Sequence, residues 1–254
     1  MLDRESAMRI VRRVLAADYA CDEKYLDMDG VHVFAARQMP GRRRYPVPEK
    51  PFSAATLGTG VVISCSEGRL AWAEGNLGGM SRDQVFSAPA LLRLQELVSD
   101  DDQEIMDEMA AVVTPGRFRP APAPEGVEIT IVEENGLADL LRFEGFPNAL
   151  DYTPRPDRPT MAATVARHDG EIVGMAGVSA DCDEMWQIGI DVVAGYRVRG
   201  VGKALVSRLT EWVFARGRLP FYGTATSNIA SRRLAAALGY WPAWTEIHAR
   251  ERRP

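Results

Sequence analysis

Residues 188–217 read IGIDVVAGYRVRGVGKALVSRLTEWVFARG, a strand pattern joined to a helix pattern through arginines and glycines. Ile188, Ile190, Val192 and Val193 are β-branched and apolar, as a central strand requires. Val201, Leu205, Leu209, Trp212 and Val213 follow at spacings of four, four, three and one, with Lys203, Arg208 and Glu211 directed elsewhere. That spacing predicts an amphipathic helix, with Gly217 as its C-terminal cap.

Between the two patterns lies RVRGVGK, from Arg197 to Lys203. Glycines let the backbone approach a ligand, and the first amides of a helix point outward as donors at the positive end of its dipole. The stretch therefore predicts an anion cradle, although the same glycines would also suit tight strand-turn-helix packing. It is not a P-loop, because Ala204 follows Lys203 and Arg197 stands where the first glycine belongs. Nor is it a dinucleotide fingerprint, since the third glycine position is Leu205.

The run IDVVAGYRVRGVGKAL resembles the pyrophosphate loop of the GNAT superfamily of acyl-CoA-dependent N-acyltransferases. That signature is Arg/Gln-x-x-Gly-x-Gly/Ala after a strand and opening a helix, matched here by Arg197, Gly200 and Gly202. The flanking patterns extend the resemblance over about residues 127–250. A strand is predicted at 127–134, a short helix at 136–143 and a loop at 144–160. Two strands meet at the His168-Asp169-Gly170 turn, and the strand ending at Val193 enters the glycine loop. A strand at 220–227, a helix at 228–239 with Ala230, Leu234, Ala237 and Leu238 inward, and a strand at 244–250 complete the order.

The 254 residues, 46% of them hydrophobic, suffice for one large or two modest domains. The net charge of −5 and a pI near 5.4 argue against a nucleic-acid role driven by phosphate neutralisation. Cys21, Cys65 and Cys182 lack the spacing of a metal site or the even count of a disulfide framework, so no metal is expected from them. The start of the chain shows no signal peptide and no apolar run spans a bilayer, which predicts a cytoplasmic protein without membrane partners.

Upstream, residues 3–19 predict a helix capped by Asp3, with Ala7, Val11, Val14 and Leu15 on one face. Strands are predicted at 31–36, 52–57 and 61–65, the last two as a hairpin about Gly58-Thr59-Gly60. Pro40 to Pro51, with Arg42, Arg43 and Arg44, predicts a solvated surface loop. Arg69 to Val113 reads as helical, with Gly75 to Gly79 as a turn and the acidic run from Glu96 to Glu108 facing solvent. The predicted class is α/β with a mixed sheet: an N-terminal α/β domain at 1–115, a Pro-rich linker at 116–126 and a GNAT-like domain at 127–254. The first domain could be a decayed copy of the same fold. It could shape an acceptor pocket, form a homodimer or bind a partner.

The resemblance implies that acetyl-CoA lies where the strands Ile188–Val193 and Phe221–Thr226 splay apart, held by the backbone of Val192 and Val193. The amides of Val198, Arg199, Gly200, Val201, Gly202, Lys203 and Ala204 would take the pyrophosphate, with Arg197, Arg199 and Lys203 adding charge. Asn228 and Ser231 match the family's second cofactor segment, before a helix ending Gly239-Tyr240; Asn228 is equally a helix cap. The family tyrosine that protonates the leaving thiolate is replaced by Ala235. Water, Tyr222 or Tyr240 could serve instead, or the activity could be lost. With Trp186 in the usual base position, Glu184 is taken as the base and Gln187 as positioning substrate or water; Asp191 is expected to face away, and His168 and His248 to be structural or exposed. The implied function is acetyl transfer to an amine of a small molecule or peptide. Phe146, Tyr152, Glu144, Asp151 and Asp157 in the 144–160 loop suit a cationic acceptor. The competing reading is a non-catalytic acyl-CoA-binding or assembly module.

Overall fold

Hydrophobic periodicity becomes seventeen regular elements in the computed structural model, which describes residues 2–44, 52–99, 101–152 and 156–252. The parts of the expected loops at 45–51 and 153–155, and Asp100, lie outside the described residues. The N-terminal half holds α1 (Arg4–Asp18), β1 (Val31–Ala35), β2 (Phe52–Thr56), β3 (Val61–Cys65), α2 (Leu70–Leu77), α3 (Arg82–Val85), α4 (Ala88–Ser99) and β4 (Gln103–Val112). There follow β5 (Val127–Glu133), α5 (Leu137–Leu140), β6 (Thr160–His168), β7 (Glu171–Ser179) and β8 (Met185–Val192). Then come α6 (Val201–Ala215), β9 (Leu219–Ala225), α7 (Ile229–Ala237) and β10 (Trp241–Glu251). The fold is mixed α/β, and no helix among the described residues is long and apolar enough to cross a membrane.

The chain divides into two units. One comprises Met8–Ala110, Ala225–Ser227 and Pro242–Pro254; the other comprises Met1–Ala7, Ala111–Thr224 and Asn228–Trp241. The division departs from a single cut at the Pro-rich stretch because the last strand, β10, pairs antiparallel with β2, Thr245 opposite Thr56. We call the first the N-terminal unit and the second the glycine-loop unit.

In the N-terminal unit the strand order is β1-β3-β2-β10-β4, with β1 parallel to β3 and β2 antiparallel to both β3 and β10. Alternation along the strands sends Ala54, Ile63 and Ile247 into an apolar core with Leu77, Leu94 and Val98, all fully buried. Two expectations fail here. Residues 103–112, expected to be helical, form β4; Ile105, Met109 and Val112 fit a helical stripe, but pairing within the sheet overrides the local preference of Glu and Met. Gly75 and Asn76, expected in a turn, continue α2 through Leu77, and the turn begins at Gly78.

A third expectation fails at the arginine cluster. Arg43 is only 3% exposed rather than solvated. Its Nε donates to Asp18 Oδ2 at 2.5 Å, and its two terminal nitrogens donate to Glu246 at 3.2 and 2.7 Å. Burial raises the Asp18 carboxyl above its ordinary range, and Arg43 opposes that rise. The acidic run is likewise not wholly a solvent face, since Glu104 pairs with Arg250 at 2.7 Å and Glu108 is partly buried.

The glycine-loop unit orders its strands β9-β8-β7-β6-β5; β5 through β8 are antiparallel neighbours and β8 and β9 are parallel. Helix α6 buries Val201, Leu205, Leu209, Trp212 and Val213. It ends with Gly217 at φ 68°, whose amide reaches Phe214 O, as a left-handed C-terminal cap requires. On α7 the buried residues are Ala235 and, just beyond its end, Leu238, while Ala230 and Ala237, expected inward, are exposed. The Pro-rich stretch is pinned to this unit: Arg119 N donates to Leu238 O at 3.0 Å and Ala121 N to Ser207 Oγ at 2.9 Å.

Candidate functional site

Strands β8 and β9 pair through Met185–Leu219, Trp186–Pro220 and Gln187–Phe221, and no further pairing between them follows. Each continues, to Val192 and Ala225 respectively. The parallel pair therefore opens at Gln187 and Phe221 into a cleft whose walls carry backbone groups not bonded across it. An amide-rich arm can bond to such walls as an added strand would.

The glycine loop stands at the C-terminal end of β8. Gly200 caps α6 with φ 88°, a conformation that suits glycine, and Ala204 N is the first amide to turn back into the helix, reaching Gly200 O at 3.1 Å. Among the described residues, the amides of Val198 to Lys203 receive no backbone acceptor. Val198, fully exposed at 105%, holds φ 63°, which is strained for a β-branched residue. Gly202 packs differently: a Cβ there would meet Leu234 Cδ1 at 2.9 Å and Ile190 Cδ1 at 3.1 Å, so its lack of a side chain lets helix and strand touch. Arg197, Arg199 and Lys203 are exposed around the bend.

Val192 and Val193 lie beside this loop, but most of their backbone groups are engaged. Val192 O accepts from Arg197 Nε at 3.1 Å; Val193 donates to Val173 O at 3.0 Å and accepts from Tyr196 N at 2.9 Å. Asn228 caps α7, its Oδ1 accepting from Ser231 N at 3.1 Å. The Ser231 side chain bonds Tyr222, the first residue of β9 past the opening. Tyr222 is 2% exposed, and burial raises its hydroxyl pKa despite the Ser231 bond; the Asp191 charge raises it further. Tyr240, also buried, engages Thr210 Oγ1 at 2.7 Å, which in turn donates to Val206 O.

Gln187 sits where the strands part, and its Oε1 accepts from an Arg158 terminal nitrogen at 2.7 Å. Arg158 Nε also donates to buried Asp181, which accepts from Ser179 Oγ at 2.7 Å. Glu184 lies before β8 begins, half-buried, its carbonyl accepting from Leu219 N. Three residues of extended chain put it about 10 Å from Gln187, at the closed end of the pair. Trp186 packs against Trp212. His168 Nδ1 lies 3.2 Å from the Tyr196 hydroxyl, a structural contact, and His248 is buried.

Asp191 does not merely face away. It accepts from the amides of Asn148 and Ala149 and from Asn148 Nδ2, at 2.6 to 3.1 Å, fastening the 144–152 turn to the sheet. The turn lies so close that a Cβ on Gly177 would sit 1.7 Å from Ala149 O, and one on Gly189 1.8 Å from Asn148 O. Register partners Gly177 and Gly189 thus admit the turn onto the face that also carries Gln187 and Asp191. Phe146, expected to display itself to an acceptor, is buried with Leu140, Ala149 and Leu150, because the turn needs an apolar anchor. Tyr152 is 37% exposed, though its hydroxyl donates to Phe143 O. Sequence reasoning missed Arg158, Asp181 and the Asn148 clasp. The paired strand glycines were the one visible signal for them.

Residues 135–240 match the model of the acetyltransferase (GNAT) family. No curated protein matches the chain. Among solved structures, a GCN5-related N-acetyltransferase from Kribbella flavida aligns at 22% identity and TM-score 0.45, covering 63% of this chain and 64% of that one. A GCN5-related N-acetyltransferase-like protein from Streptococcus suis aligns at 21% identity and TM-score 0.46, covering 68% and 78%. A tandem GNAT protein from the clavulanic acid biosynthesis pathway aligns at 17% identity and TM-score 0.43, covering 69% and 61%.

Proposed function

We propose that the glycine-loop unit is a cytoplasmic acetyltransferase that moves an acetyl group from acetyl-CoA to a primary amine of a small molecule or peptide by direct attack. The observation that carries this reading is the opening of β8 from β9 at Gln187 and Phe221, with the unpaired amides of Val198 to Lys203 at the far end of one wall. The residues fit the cofactor: a pantetheine arm suits the cleft, a diphosphate suits the amides, and Arg197, Arg199 and Lys203 balance its charge. Asn228 and Ser231 border the other wall. Because Arg197 already bonds Val192 O, cofactor entry at that point exchanges one donor for another.

Direct attack needs a neutral amine, donors at the thioester oxygen as charge develops, and a proton for the departing thiolate. Gln187 lies where the thioester would stop, and its side chain, steadied by Arg158, orients the amine or a water. Glu184, about 10 Å away along the strand, acts as base only through intervening water. Tyr222 is the better placed acid of the two tyrosines, since Tyr240 is tied to Thr210. Burial raises the pKa of Tyr222, which makes it a weaker donor than an ordinary tyrosine.

A second reading, an acyl-CoA-binding module without turnover, is favoured by Ala235, buried where the family tyrosine would stand. Thermal denaturation with and without acetyl-CoA tests binding, because ligand at a hundred times its dissociation constant adds about 2.7 kcal/mol. Absence of any shift overturns both readings. Thiol release across an amine panel then separates them: turnover supports the enzyme, and binding without turnover supports the module.

A further inference from the structure

We propose that Glu108, Glu246 and His248 of the N-terminal unit form a binding site for a divalent transition-metal ion, Zn2+ foremost. One ligand atom from each of the three lies within 4.8 Å of the other two. The arrangement follows from the sheet: Glu246 and His248 are two apart on β10 and share a face, and Glu108 comes from the neighbouring β4. Metal–nitrogen and metal–oxygen bonds of roughly 2.0–2.2 Å set tetrahedral donor edges near 3.4 Å, so small side-chain rotations close the set and leave a fourth position for water.

Charge supports the assignment. Glu108 and Glu246 bring two carboxylates beside an imidazole in a region where Glu246 and His248 are each 2% exposed, a donor set to which a divalent cation would add countercharge. Arg43 divides its guanidinium between Glu246 and buried Asp18 rather than serving Glu246 alone. It acts instead as a brace, with Glu246 held on one edge and Asp18 on the other, as outer-shell partners commonly orient a ligating carboxylate. An imidazole beside two carboxylates suits Zn2+ better than Mg2+ or Ca2+, which prefer oxygen throughout, and no thiol is in the set. Glu108 is partly exposed and gives a route in.

The test is titration of the full chain, stripped with EDTA, with ZnCl2 against a chromophoric chelator. One equivalent should bind, and His248→Asn and Glu108→Gln should each weaken binding at least tenfold while circular dichroism stays unchanged. Zinc-edge absorption should report one imidazole with oxygen ligands. No stoichiometric binding by the folded chain overturns the site, as does binding that survives both substitutions. If His248→Asn does not fold, the partly exposed Glu108→Gln carries the same decision.

Discussion

The two units treat polar groups in opposite ways. In the N-terminal unit, Asp18, Arg43 and Glu246 are enclosed and bonded to one another at 2.5 to 3.2 Å, and the opposite face of the sheet carries an apolar core. In the glycine-loop unit, the loop arginines are exposed, a strand pair opens early, and a run of amides has no backbone acceptor. Enclosed and bonded charges fix a structure, because removing one partner leaves another stranded in low dielectric. Unsatisfied donors at a surface contribute little to stability and are available to a ligand.

Removing a partner from the buried triad should have the largest effect. Arg43→Met should lower the unfolding free energy in urea by about 3–5 kcal/mol, because two carboxylates lose their counter-charge. A cost below about 1 kcal/mol would mean that the triad is not a stabilising centre and would erase the contrast. Next come the strand glycines: Gly189→Ala must displace the Asn148 turn and should cost about 1–3 kcal/mol, with faster proteolysis in residues 144–152. Unchanged proteolysis would show that the turn is not held against the sheet.

On the ligand side, Arg197→Ala and Lys203→Ala should each weaken coenzyme A binding by about tenfold by calorimetry, with a smaller loss at high salt and no change in unfolding free energy. Loss of stability instead of affinity would reverse the proposed division of labour. Smaller still is Val198→Gly, which should stabilise the unliganded chain by about 1 kcal/mol, relief of strain offset in part by added unfolded-state entropy.

Thiol titration sharpens the comparison from the buried side. Burial pushes the Cys21 thiol up to about 12 and the Cys65 thiol up to about 11. Both pKa values rise on folding, so their contribution to stability is present below the unfolded thiol value of about 8.5 and is lost as pH climbs from there toward 12. Alkylation of both at pH 8 should be far slower than in the unfolded chain, and equal rates would contradict their enclosure.

Local pattern was enough for α6, β8 and the glycine bend, because amphipathic period, β-branching and glycine placement act over a few residues. It was not enough for β4, whose Ile105, Met109 and Val112 satisfy a helical stripe and whose strand state comes from its neighbours in the sheet. The same gap hid the site's supporting residues. Arg158 meets Gln187 across 29 positions, and Asn148 meets Asp191 across 43.

By itself, then, the sequence determined a glycine-loop helix entry after a buried strand, its outward-facing backbone donors and the order of elements around it, all consequences of short-range sterics and backbone geometry. Tertiary structure alone decided where β8 and β9 part, that Arg43 is enclosed, that β10 pairs with β2, and that Glu108 meets Glu246 and His248. Each of these joins residues far apart in the chain, and long-range pairing depends on which surfaces meet, a quantity that no local window of sequence contains.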